Sequence, residues 1–159
     1  MNKNKSVSNK LIVYRSDPRE LSVGSIMYPN FSEAPPINKE EQRVEKAIMK
    51  LNHELTKHRT QALYTWLSKS FFERQQTSSL RHLSNLRGKY FYELEVDKSD
   101  ILFVGNLDVY SEAKALINSP ERFVETVEQY AMGCDLGNTS ERIEVLVSKA
   151  KVLKRYDKK

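Results

Sequence analysis

At 159 residues, 39% hydrophobic and 30% charged, the chain is long enough for one domain with a real core. It has no apolar run near the roughly 20 residues that span a bilayer. A net charge of +5, with Lys3, Lys5 and Lys10 at one end and Lys149, Lys151, Lys154, Arg155, Lys158 and Lys159 at the other, favours acidic partners such as nucleic acid or nucleotide phosphate. The same charges also describe solvated tails. Cys134 is the only cysteine, which excludes an intrachain disulfide and a cysteine-rich zinc site. Residues 1–5 lead into Leu11-Ile12-Val13 without a signal-like apolar stretch, so the expectation is a cytoplasmic chain. It is read as a single domain over 1–159, with 1–9 and 157–159 as flexible tails.

Taken in order, Leu11 to Arg15 reads as a first strand, ended by Ser16-Asp17-Pro18. Arg15 stands where a guanidinium can fork onto a phosphate or simply face water. Leu21 to Pro29 predicts a turn and a short strand, and Phe31 to Ile37, with Pro35-Pro36, a loop. Asn38 with Glu41 three residues on makes a capping box. Val44, Ala47, Ile48, Leu51 and Leu55 then recur at helical spacing, which predicts one helix ending near Lys57. His53 and His58 lack the partners a metal would need and are read as surface residues; no metal site is expected.

The stretch from Arg59 to Ser68, rich in β-branched and aromatic residues, predicts a central strand in which Trp66 packs. Phe71 to Leu86 predicts a crossover carrying Arg74, Arg81, His82 and Arg87, broken at Gly88. Lys89 to Asp97 alternates cleanly, with Tyr90, Tyr92, Leu94 and Val96 on one face and Phe91, Glu93 and Glu95 on a wet one. Ile101 to Gly105 predicts the next strand and Val109 to Ile117 a helix. A second helix opens at Ser119-Pro120-Glu121, shows Phe123, Val127 and Tyr130 on its apolar face and stops at Gly133. After the loop Gly133–Asn138, Ile143, Val145 and Val147 alternate with Arg142, Glu144, Leu146 and Ser148, a strand with a carboxylate set in an apolar run. Burying a carboxylate is costly unless it is paired, so Glu144 either faces water or has partners.

Glu144-Val145-Leu146-Val147, entered from a glycine-bearing loop and followed by Lys151-Val152-Leu153, resembles the last strands of mono-ADP-ribosyltransferases. There a strand opens with the catalytic glutamate. Tyr14-Arg15 is similar to that family's first core strand, and Arg59 ahead of Ala62-Leu63-Tyr64 resembles a small bacterial and phage branch. The order of elements over residues 88–156 is similar too. The resemblance implies an α+β domain with a split, mainly antiparallel sheet and flanking helices. It implies breakage of the glycosidic bond of NAD, as substrate, and transfer of ADP-ribose to a macromolecular acceptor, with a phage or mobile-element factor acting on host components as one setting.

By the same resemblance Glu144 is the catalytic residue, Arg15 holds NAD, Arg59 adds a second cationic contact and Tyr64 stacks on nicotinamide. Thr60, Tyr64 or Thr65 supplies the group that braces the glutamate. Arg142 stands where the family often carries a second Glu or Gln, a departure that points away from arginine as acceptor and towards nucleic acid or another side chain. The alternative is a non-catalytic basic protein on the same scaffold that grips nucleic acid or a host protein.

Overall fold

A computed structural model describes residues 9–30, 38–77, 90–138 and 140–156. The strands are β1 (Lys10–Asp17), β2 (Ile26–Met27), β3 (Leu63–Trp66), β4 (Tyr90–Asp97), β5 (Ile101–Asn106), β6 (Ile143–Val147) and β7 (Ala150–Tyr156). The helices are α1 (Lys39–Leu51), α2 (His53–Gln61), α3 (Lys69–Thr77), α4 (Leu107–Ala115) and α5 (Pro120–Ala131). Among the described residues no helix is long and apolar enough to cross a membrane. The expected loop at Phe31–Ile37, the basic residues Arg81, His82 and Arg87, and the break at Gly88 lie outside the described residues.

The chain is α+β, and its strands form one antiparallel sheet in the order β2-β7-β4-β1-β3-β6-β5. This corrects the expectation of a split sheet. The nearest thing to a split is a thin seam. β1 is in register with β4 along its whole length, Lys10 against Asp97 through Asp17 against Tyr90, yet it meets β3 in register only at Tyr14 and Trp66. A side chain reinforces that seam: Arg15 Nη1 donates to the Tyr64 carbonyl at 2.9 Å.

Residues directly opposite in a sheet share a face, so the registers sort the side chains. One face carries Val13, Leu63, Tyr92, Leu94, Val96, Val145, Val147 and Val152, a buried cluster built from strands with Leu21, Leu67 and Leu136 packed on it from loops. The other face carries Tyr14, Trp66 and Glu144 in one register line. Over its β1 and β4 half lies α3, whose Phe72 stacks on Tyr14 at 5.2 Å and meets Phe91 at 5.7 Å. Full burial of a side chain such as Phe72 contributes about 1.5–3 kcal/mol. Over its β5 and β6 half the other four helices gather, burying Val44, Ile48, Leu55, Tyr110, Ala113, Val127 and Tyr130 with Phe103 against them.

Two local differences from the sequence expectation shape the site. The long helix is two helices, because Asn52 is extended (φ −155°, ψ 95°) and caps both: its N–H bonds to the Ile48 carbonyl and its side chain accepts from Leu55 N. Asparagine is among the best residues for that position. The strand expected from Arg59 begins only at Leu63, since α2 runs on to Gln61. A helical Arg59 turns back towards α1, where its charge is met, and that outweighs the strand preference of its neighbours. The capping box at Asn38 and Glu41 is present as read, with bonds of 2.8 and 3.1 Å.

Candidate active site

Glu144, the second residue of β6, lies beside Trp66 on one neighbour and Gly105 on the other, and is only 3% exposed. Its charge is met by Arg59, whose Nη1 lies 2.9 Å from Glu144 Oε2. The same guanidinium is gripped from the opposite side by Glu45 of α1. Arg59 Nε donates to both Glu45 oxygens at 2.9 and 3.0 Å, and Nη2 donates to Oε2 at 2.8 Å. Tyr110 of α4 donates to Glu45 Oε2 at 2.6 Å. Tyr130 of α5 accepts from Arg59 Nη1 and donates to Glu144 Oε2.

Both bonds on the Glu144 carboxylate therefore fall on Oε2, and Oε1 accepts none among the described residues. Three rings surround the guanidinium, with the Arg59 carbon 5.0 Å from the Tyr110 centroid, 5.3 Å from Tyr130 and 5.5 Å from Tyr64. Rings at that distance add cation–π attraction. Tyr64 is the outermost of them, 36% exposed, and its hydroxyl bonds back to the Arg59 carbonyl.

The ionisation states follow from these contacts. Burial opposes charge on Arg59, but the Glu144 carboxylate outweighs it, aided by the surrounding tyrosines and the Glu45 bonds, and holds the guanidinium pKa well above its usual value. Burial, then the neighbouring Glu144, pushes the Tyr130 hydroxyl well up; burial, then Glu45, does the same to Tyr110. Both phenols stay protonated and serve as donors.

A single close contact is what lets Tyr130 reach the carboxylate. Gly105 faces Glu144 across the ladder, and a Cβ there would lie 3.0 Å from the Tyr130 ring and 3.1 Å from its hydroxyl oxygen. A glycine there leaves the room that lets the ring come this close to the strand.

Of the residues singled out in the sequence, the structure brings Glu144, Arg59 and Tyr64 together and keeps Arg15 apart from Glu144. Arg15 projects with Val13 and Asp17, on the face that Tyr14 and Glu144 do not share, and donates through Nε to Asp17 Oδ2 at 2.9 Å. Its contact with the site is the bond to the Tyr64 backbone. The expected brace is also elsewhere: Thr65 donates to the Val145 carbonyl at 2.7 Å and Thr60 to the Lys57 carbonyl at 3.0 Å, and Tyr130 takes that place on Glu144. Glu45 and Tyr110 went unread in the sequence. A tyrosine on an apolar helix face is the available signal, because a buried phenol needs a hydrogen-bond partner. Arg142, two residues before Glu144, bonds to Asp108 Oδ1 at 3.0 Å and Ser111 Oγ at 3.2 Å. No group of three or more His, Cys, Asp or Glu residues suited to a metal occurs among the described residues.

The fold and site thus define an α+β protein with a seven-stranded antiparallel sheet and a carboxylate–guanidinium–carboxylate cluster under its helical layer. No family model and no curated protein matches the chain.

Proposed function

We propose that the protein is an NAD-dependent ADP-ribosyltransferase acting on a macromolecular acceptor. The observation that carries this reading is the state of Glu144: its Oε2 is pinned by Arg59 and Tyr130 while Oε1 is left to accept a further hydrogen bond. In the proposed reaction the bond from the ribose C1′ to nicotinamide breaks, the electron pair leaves with nicotinamide, and positive charge grows on the ribose. Glu144 Oε1 accepts from a ribose hydroxyl and stabilises that charge. The acceptor nucleophile then bonds to C1′ and loses its proton to solvent. A fixed negative group aimed at charge that develops only in the transition state is an effective catalytic device. Arg59 serves this reading as the brace of Glu144 rather than as a phosphate contact, and Tyr64 offers a ring at the outer side of the cluster.

A second reading is a non-catalytic binding protein with a basic surface. The observation favouring it is that Glu144 is nearly enclosed and already paired with a cation, as a purely structural glutamate would be. Nicotinamide release from NAD, measured with protein and nucleic-acid acceptors, separates the two. Release that depends on the acceptor supports transfer. No release with any acceptor, together with a salt-sensitive shift of nucleic acid, sinks the transferase reading and leaves the binding one.

A further inference from the structure

Glu45 has no part in the chemistry above, yet it makes more bonds to Arg59 than Glu144 does. A guanidinium has five N–H donors, and left to itself with one carboxylate it forks onto both oxygens. At Glu144 that would occupy Oε1 as well as Oε2. Nε and Nη2 are turned to Glu45 on α1, and Nη1 is the nitrogen that donates to Glu144, where it reaches Oε2 alone. Glu45 is in turn oriented by Tyr110, whose hydroxyl donates to its Oε2.

Two carboxylates share one guanidinium, which leaves the cluster formally one negative charge in excess. Among the described residues, the charged and titratable groups around it are Arg59 of α2, Tyr64 of β3, Tyr110 of α4, Tyr130 of α5 and Cys134 in the loop after α5, with Lys114, paired to Glu41, on the outer side of Tyr110. Among the described residues Arg59 is the cation that bonds both glutamates. Where that excess charge sits therefore depends on how Arg59 is divided between the two glutamates.

We propose that Glu45 is a positioning residue: by holding Arg59 from α1 it limits that arginine to one bond with Glu144 and keeps Glu144 Oε1 open to a ligand. The role in catalysis rests on the transferase reading; the division of Arg59 does not. The consequence for Glu45→Gln is specific. A neutral amide cannot hold the guanidinium with three bonds, and Arg59 then swings to fork onto both oxygens of Glu144.

The test uses Glu45→Gln, Glu144→Gln and the double variant of the full chain. In nicotinamide release, kcat of Glu45→Gln falls roughly tenfold to a hundredfold, the scale expected when a reacting group is misplaced, while KM for NAD moves little. In urea unfolding the two single variants are not additive. Each leaves Arg59 one carboxylate, whereas the double variant buries it with none, so its midpoint drops by more than the sum of the singles. A folded Glu45→Gln protein with wild-type kcat, or midpoint shifts that simply add, overturns the proposal. A wild-type protein that releases no nicotinamide overturns the transferase reading alone, and the unfolding cycle then still decides whether the two glutamates share Arg59. Should Glu45→Gln fail to fold, Tyr110→Phe, which loosens Glu45 without removing its charge, is expected to show the same kcat effect in weaker form; wild-type kcat there counts against the proposal.

Discussion

Two buried carboxylates among the described residues are held by arginines, and they are held in opposite ways. Asp17, at the end of β1, is fully enclosed, and both its oxygens are saturated. Arg19 donates to Oδ1 through its backbone N and Nε and to Oδ2 through Nη2, and Arg15 donates to Oδ2 through Nε, all at 2.9 Å. Every partner comes from within two residues, so the cluster ties the end of one strand to the turn that follows. Glu144 is held by side chains from α2 and α5, with a third, Glu45, behind them, and one of its oxygens is spare. The contrast teaches that burial and pairing do not by themselves distinguish a structural acid from a functional one. What differs between the two is the number of acceptor positions left unfilled, and the transferase reading rests on that difference.

The largest effect that this comparison predicts is at Glu144. Glu144→Gln keeps the shape and an acceptor for Arg59 and Tyr130 but removes the charge. Nicotinamide release should fall about a hundredfold to a thousandfold, with NAD affinity changed much less because the charge it answers arises in the transition state. Full activity in that variant removes Glu144 from the mechanism.

Asp17→Asn should do the reverse, costing about 2–4 kcal/mol of stability and leaving turnover per folded molecule alone. Its pH dependence gives a second check. Burial by itself would raise the Asp17 carboxyl, but the Arg19 hydrogen bonds, with Arg15, outweigh it and hold its pKa below the usual value. A depressed folded value means that the stabilisation is complete above the unfolded pKa of about 3.9 and is lost as pH falls through the lower folded value. Urea midpoints of wild type and Asp17→Asn should therefore differ at neutral pH and converge as the solution is acidified below about pH 4. A gap that stays constant into acid would mean the aspartate charge is not what holds the turn.

What was legible in the sequence follows the same division between local and distant. The Glu144 strand could be read because a carboxylate interrupts an apolar alternation, and the capping box because its two residues lie three apart. The Asn52 break could not, since Leu51 and Leu55 carry the helical stripe straight across it. The residues after Arg59 favour a strand, while the partners that keep Arg59 helical lie 14 and 85 residues away. Nothing in the local sequence says which of Tyr14 and Arg15 shares a face with Glu144. Only the register of Tyr14 with Trp66, and of Trp66 with Glu144, shows that Tyr14 is the one on that face.

Gly105→Ala sharpens the comparison from the Glu144 side. The added methyl would stand 2.7 Å from the Phe103 ring and 3.0 Å from the Tyr130 ring. Overpacking of that kind costs about 1–3 kcal/mol. It also pushes the Tyr130 hydroxyl away from Oε2, so nicotinamide release should fall alongside the urea midpoint. A loss of stability with turnover unchanged would show that Tyr130 packs against Glu144 without orienting it.

The smallest effect belongs to Glu141, three residues before Glu144 and the obvious competitor for its role. It is exposed, outside β6, and its oxygens are taken by Arg74 of α3, at 3.1 Å from Nη1 and closer from Nη2, and by Ser70 at 3.2 Å. The Arg74 hydrogen bonds draw its pKa down, yet both partners stand in water, where such a pair contributes little and salt screens it. Glu141→Gln should therefore leave both the urea midpoint and nicotinamide release at wild-type values. The two glutamates differ in what surrounds them rather than in their chemistry: one is tied to a surface arginine, the other is set among tyrosines with an oxygen to spare. If Glu141→Gln abolished turnover while Glu144→Gln kept it, the acid that matters would be the exposed one. The cluster around Arg59 would then be a device for packing helices on the sheet.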